Sequence, residues 1–178
     1  MADDIWVFGY GSLIWDPGFA FVEAQVARLP GWHRSFCMFS VHYRGTPAAP
    51  GLVLALDRAE GACCHGLVFR VPEQDAAATT AYLRGRELIS DAYLEARLPV
   101  ALADGRRVEA LTYVINRDHT QYAGLLTPEV QARTIATAAG VKGDNCDYLT
   151  ATAAHLQALG IADAEMEHLV ELVTQLRV

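Results

Sequence analysis

The chain has 178 residues, enough for one domain with a sizeable core, and its 52% hydrophobic and 20% charged content excludes a disordered chain. Its formal net charge of -7, from 14 basic and 21 acidic side chains, comes without any basic run, which excludes nucleic acid and anionic membrane surfaces as expected partners. Met1-Ala2-Asp3-Asp4 is acidic where a signal peptide would be basic, and Cys37, Cys63, Cys64 and Cys146 show no framework spacing, so a soluble protein of the reducing cytoplasm is expected.

The elements follow in chain order. Ile5–Phe8 reads as a fully buried strand, too short to span a bilayer, that runs into Gly9-Tyr10-Gly11-Ser12. Ala24–Leu29 and Trp32–Phe39 are two further strands, separated by a turn at Pro30-Gly31. "HYRGTPAAPG", residues 42–51, is a turn-rich loop, and Leu52–Leu56 with Cys64–Val71 then reads as a strand pair. Pro72 opens a helix to about Leu88. Strands around Tyr93–Leu102 and Val108–Asn116 are joined by an Asp104-Gly105 hairpin turn. Thr127 caps a helix with Pro128 in its first turn, ending near Gly140. A second helix spans about Asn145 to Leu159, and a third begins after Asp163. Strands first, helices last and one helix between them indicate an α+β domain covering residues 1–178.

Two stretches carry candidate chemistry. At 100° per residue, Ala76, Thr80, Leu83 and Glu87 share one narrow sector of the first helix. Ala77, Ala81 and Leu88 widen that face, while Gln74, Asp75 and Arg86 lie off it. Glu87 is therefore expected to face the core. There it serves either as a partly buried ion pair, with Arg84 at i−3 or with Arg86 turned aside, or, with its pKa raised by apolar surroundings, as a general acid or base. In the loop Gly9–Ile14, glycines on both sides of Tyr10 free the backbone to turn N–H groups inward as an anion-binding nest. The bland alternative is a tight turn with Tyr10 packed in the core. The loop lacks the third glycine and the βαβ context of a dinucleotide site. Ser12 has no visible His-Asp partnership, and Cys63-Cys64-His65 cannot converge on one metal from a strand whose side chains alternate. His33, His42, His119, His155 and His168 are scattered and read as surface or satisfied core residues.

"VFGYGSLIW", "GWHRSFC", "YRGTPAAPG", "HGLVFRVP", "LRGRELI" and "GDNCDYL" occur in one order along the chain. In this combination the sequence closely resembles the ChaC-like γ-glutamylcyclotransferases, the glutathione-specific branch, over about Trp6 to Leu176, with "RELI" most like bacterial members. The resemblance implies a small mixed β-barrel-like sheet with helices around it, and no cofactor or metal. It implies glutathione as substrate, cyclised to 5-oxoproline with release of Cys-Gly. It further implies that Gly9, Tyr10, Gly11, Ser12, Leu13 and Ile14 form the substrate-binding loop, that Glu87 is the catalytic glutamate, and that Tyr148 lies near the site. One departure is Tyr43, where many relatives carry histidine before the arginine. The competing readings are a cyclotransferase for other γ-glutamyl amino acids or amines, and a catalytically silent binding or regulatory protein on the same scaffold.

Overall fold

The computed structural model describes residues 3–178; Met1 and Ala2, the start of the acidic N-terminal stretch, lie outside the described residues. The elements are β1 (Ile5–Gly9), β2 (Glu23–Ser40), β3 (Gly51–Val71), α1 (Glu73–Glu87), β4 (Tyr93–Leu102), β5 (Arg107–Ile115), α2 (Pro128–Thr137), β6 (Ala139–Gly140), β7 (Gly143–Asp144), α3 (Asn145–Ala158) and α4 (Ala164–Leu176). By their contacts they form two compact units. One holds the chain up to Arg34 together with Leu56–Asn116, and the other holds Ser35–Ala55 and Arg117–Val178.

In the first unit the strands close into a barrel in the order β1-β3-β2-β4-β5. β1 is antiparallel to β3, with Phe8 opposite Val68 and Gly9 opposite Leu67. On its other side β1 runs parallel to β5, with Val7 opposite Leu111, and this pair closes the barrel. Phe8, Leu56, Phe69, Leu111 and Tyr113 are almost wholly buried, and each such side chain contributes about 1.5–3 kcal/mol on leaving water. Gly66 is required by this packing. A Cβ there would lie 2.4 Å from the Gly9 carbonyl oxygen and 2.7 Å from the Phe8 ring, so only glycine lets β3 approach β1 at that point.

Four expectations need correction. Pro30-Gly31 is no turn: β2 runs through it without a break, with Pro30 exposed and Gly31 taking φ +84° to absorb the bend. Leu52–Leu56 and Cys64–Val71 are likewise one strand, whose exposed polar middle around Arg58–Cys63 reads in sequence like a loop, with Gly61 at φ +78°. The helix from Thr127 ends at Thr137, and the β6–β7 pair replaces its expected last turn. On α1, Ala77 and Ala81 are exposed, whereas Thr79 and Leu83 are buried and Asp75, Arg86 and Glu87 half-buried. The buried face of α1 is thus rotated toward Arg86. Leu83, with no exposed surface, pins its C-terminal half; truncating such a leucine to alanine costs about 2–5 kcal/mol.

The second unit packs α2, α3 and α4 together with the end of β2 and the start of β3. Asn145, wholly buried at the start of α3, stands in for a neighbouring strand: its Oδ1 accepts from the Leu52 N–H at 2.7 Å, and its Nδ2 donates to the Leu52 carbonyl at 2.7 Å. Asp163 caps α4, accepting from the Met166 N–H at 3.0 Å. Among the described residues no helix is long and apolar enough to cross a membrane.

Candidate active site

The loop that follows β1 is built so that its side chains turn inward. Tyr10, Leu13 and Ile14 are all buried, and the Tyr10 hydroxyl donates to the Tyr113 carbonyl on β5 at 2.8 Å. The expected core role of the Tyr10 ring is therefore real, and it accompanies a particular backbone conformation. Ser12–Ile14 form a single 3-10 turn, closed by Ile14 N–H to Gly11 C=O at 2.9 Å, with the Asp16 N–H bonding the Ser12 carbonyl. The first N–H groups of such a turn have no partner within it. Within Gly9–Ile14 only Ser12 is partly exposed, the other five residues being buried. Gly9 allows the tight return: a Cβ there would lie 3.0 Å from the Leu13 Cβ.

The C-terminal end of α1 meets this loop through Arg86. Its Nη2 donates to the Ser12 Oγ at 3.0 Å, and its Nη1 donates to the Asp16 carbonyl at 2.6 Å and contacts the Tyr82 hydroxyl at 3.2 Å. Its Nε lies 3.4 Å from Glu87 Oε1, both side chains being about 85% buried at 13% and 16% exposure. Gly18, at φ +74°, leaves room for the Tyr82 hydroxyl, which would stand 2.0 Å from a Cβ there. One guanidinium thus ties the loop to Glu87. Of the two expected ion-pair partners of Glu87, Arg86 is the one that meets it, while Arg84 makes a two-point pair with Glu95 on β4, at 2.8 Å in each bond.

Glu95 and Tyr113 complete the surroundings. The Tyr113 hydroxyl donates to Glu95 Oε2 at 3.3 Å. Burial, reinforced by the Glu95 charge and then by Glu87, pushes the phenol far above its ordinary value, so it remains a neutral donor. Arg84 holds the Glu95 carboxyl below its ordinary value against the opposing effect of burial. Neither Glu95 nor Tyr113 is among the candidates read from the sequence, and Arg86 is named there only as an ion-pair partner of Glu87. The "RE" pair in "LRGRELI" was the available signal for Arg86; Glu95 and Tyr113 carried none.

Tyr148, the remaining expected site residue, lies on α3 in the second unit. Its hydroxyl accepts from the Leu54 N–H at 3.2 Å, its ring packs edge-on to Phe36, and the Arg44 guanidinium sits 5.8 Å from the ring centre. Along β3, Cys63 is exposed, Cys64 buried and His65 exposed, the alternation that keeps these three from one metal. Among the described residues no group of three His, Cys, Asp or Glu side chains is placed to hold a metal ion.

The fold is that of the γ-glutamylcyclotransferases, an α+β architecture of a mixed five-stranded barrel with four helices. A solved γ-glutamylcyclotransferase specific to glutathione from yeast superposes with a TM-score of 0.89 at 25% identity, covering 98% of this chain and 97% of that one. Within that class the chain belongs to the ChaC-like family, whose pattern it matches over residues 5–176. It is 37% identical over 172 residues to the glutathione-specific γ-glutamylcyclotransferase of Escherichia coli K12, covering 97% of this chain and 74% of that protein. It is 31% identical to the human glutathione-specific γ-glutamylcyclotransferase 1 (95% and 77% covered), and 34% identical to γ-glutamylcyclotransferase 2-1 of Arabidopsis thaliana (97% and 82% covered).

Proposed function

We propose that this protein is a glutathione-specific γ-glutamylcyclotransferase in which Glu87 is the general base and acid and the Gly9–Ile14 loop binds the γ-glutamyl group. The observation that carries this reading is the Arg86 bridge, which holds a mostly buried carboxylate and an amide-bearing loop on one guanidinium. A binding protein would need such a loop but not the carboxylate beside it. The relatives named above supply the substrate class.

In the proposed reaction the substrate's own α-amine attacks its γ-carbonyl. A ring N–C bond forms, the amide bond to the cysteine nitrogen breaks, and 5-oxoproline and Cys-Gly separate. The nucleophile belongs to the substrate, so no triad, thiol or metal is needed. Glu87 takes the proton from the α-ammonium and returns it to the leaving nitrogen. The loop amides from Tyr10 to Leu13 hold the anionic end of the γ-glutamyl group or its developing oxyanion. Holding the chain in its folded conformation contributes up to about 7–11 kcal/mol in favourable systems. Tyr148 is kept as a substrate-binding residue on the family resemblance.

The test is product analysis with purified protein on glutathione, γ-glutamylalanine and a γ-glutamylamine. The expected outcome is 5-oxoproline and Cys-Gly in equal amounts from glutathione, with the other two substrates turned over much more slowly. Equal rates on all three would contradict glutathione specificity, and no 5-oxoproline from any would contradict the reaction.

A further inference from the structure

We infer that Arg34 is a positioning residue for this reaction, setting the direction in which the Gly11 N–H meets the γ-glutamyl group; the inference rests on the function proposed above. Arg34 lies on β2 and is only 7% exposed. Its Nη1 donates to the His65 carbonyl at 2.8 Å and to the Tyr10 carbonyl at 3.2 Å, and lies 3.7 Å from the Cys64 sulfur. A single NH₂ group therefore joins the β3 backbone to the peptide that links Tyr10 and Gly11.

A trans peptide is planar, so its carbonyl and its N–H point in opposite directions. With the Tyr10 carbonyl held on the buried guanidinium, the Gly11 N–H is directed away from it. Turning that peptide over would strip Arg34 of a buried acceptor. It would also present an oxygen, in place of a hydrogen, to an anionic substrate group. The neighbouring bonds leave little room for compromise. Phe8 is fixed before the peptide by Thr112 Oγ1 donating to its carbonyl at 3.0 Å, Tyr10 by its hydroxyl on Tyr113, and Gly11 after it by the bond from Ile14. Lysine would keep the charge but lacks the planar group whose two hydrogens diverge toward two carbonyls.

The experiment compares Arg34→Lys and Arg34→Met with the parent. It measures thermal melts, steady-state kinetics on glutathione, and calorimetric glutathione binding with each substitution placed in a Glu87→Gln background. The expected result is a KM and a Kd raised about tenfold or more, equivalent to about 1.4 kcal/mol, in an Arg34→Lys protein that melts within a few degrees of the parent. Parent-like KM and Kd in a folded variant would overturn the proposal. So would a loss confined to kcat that follows the folded fraction, which is all a purely structural arginine would cause. Should Arg34→Met not fold, Arg34→Lys alone decides. Absence of 5-oxoproline from the parent protein would instead count against the proposed reaction.

Discussion

Arg86 divides its guanidinium among Ser12, Asp16, Pro17, Tyr82 and Glu87. Exposed ion pairs contribute little, but this one is mostly buried and joins two parts of the proposed site. Arg86→Gln is therefore expected to lower kcat/KM on glutathione by about 10²-fold, the scale at which small misplacements act, with Arg86→Lys intermediate. Ser12→Ala should be milder, about 0.5–1.5 kcal/mol for the lost hydroxyl contact, because its backbone N–H remains. Kinetics beside thermal melts decide, and parent-like kinetics in a folded Arg86→Gln protein would leave the pair a structural contact with no part in the reaction. At this scale the sequence showed that Glu87 faces inward and that the glycines flank a backbone turn. It did not show where Arg86 goes, because that side chain sits at the edge of the helical stripe and its partner Ser12 is 74 positions away. Helical periodicity locates a face, not a distant acceptor.

The elements that sequence reading divided wrongly are β2, at Pro30-Gly31, and β3, across the polar stretch Arg58–Cys63, and each division holds a glycine at positive φ. A Cβ at Gly31 or Gly61 would meet nothing within 4 Å, so these residues serve conformation alone, bending strands that continue. The Asp104-Gly105 turn was legible because its signal was local and complete, with Gly105 at φ +91° closing on the Leu102 carbonyl at 3.0 Å. That turn also carries a charge cluster. Arg106 pairs with Asp104 and Glu23, and Arg70 bonds Glu23 and Asp4. Hydrogen bonds from Arg106 pull the Asp104 carboxyl from its ordinary 3.8 down to about 2. A carboxyl whose folded value is lowered contributes stability above its unfolded value and loses it as pH falls through the folded one. The Tm difference between the parent and Asp104→Asn should therefore be present at pH 7 and close as pH falls from about 4 to about 2. It should also shrink in salt, since these groups face solvent. A difference independent of pH would show that the cluster does not stabilise the hairpin.

For the whole molecule, strands followed by helices indicated an α+β fold, and the order of elements was legible almost throughout. Barrel closure was not. It depends on β1 pairing in parallel with β5 about a hundred residues later, Trp6 opposite Ala110 and Val7 opposite Leu111, and period-two patterns do not name partners. The barrel was expected only through the family resemblance. The same holds for the chemistry, since a reaction whose nucleophile belongs to the substrate leaves no triad or metal motif to find. In the proposed mechanism what remains on the protein is one carboxylate, Glu87, tied through Arg86 to one backbone loop. The most direct measurement is glutathione turnover by Glu87→Gln, which keeps the side chain's size but cannot accept the ammonium proton. The account predicts that kcat falls by about 10²–10⁴-fold while the melting temperature and the calorimetric affinity for glutathione stay near those of the parent; near-parent turnover by the folded variant would contradict it.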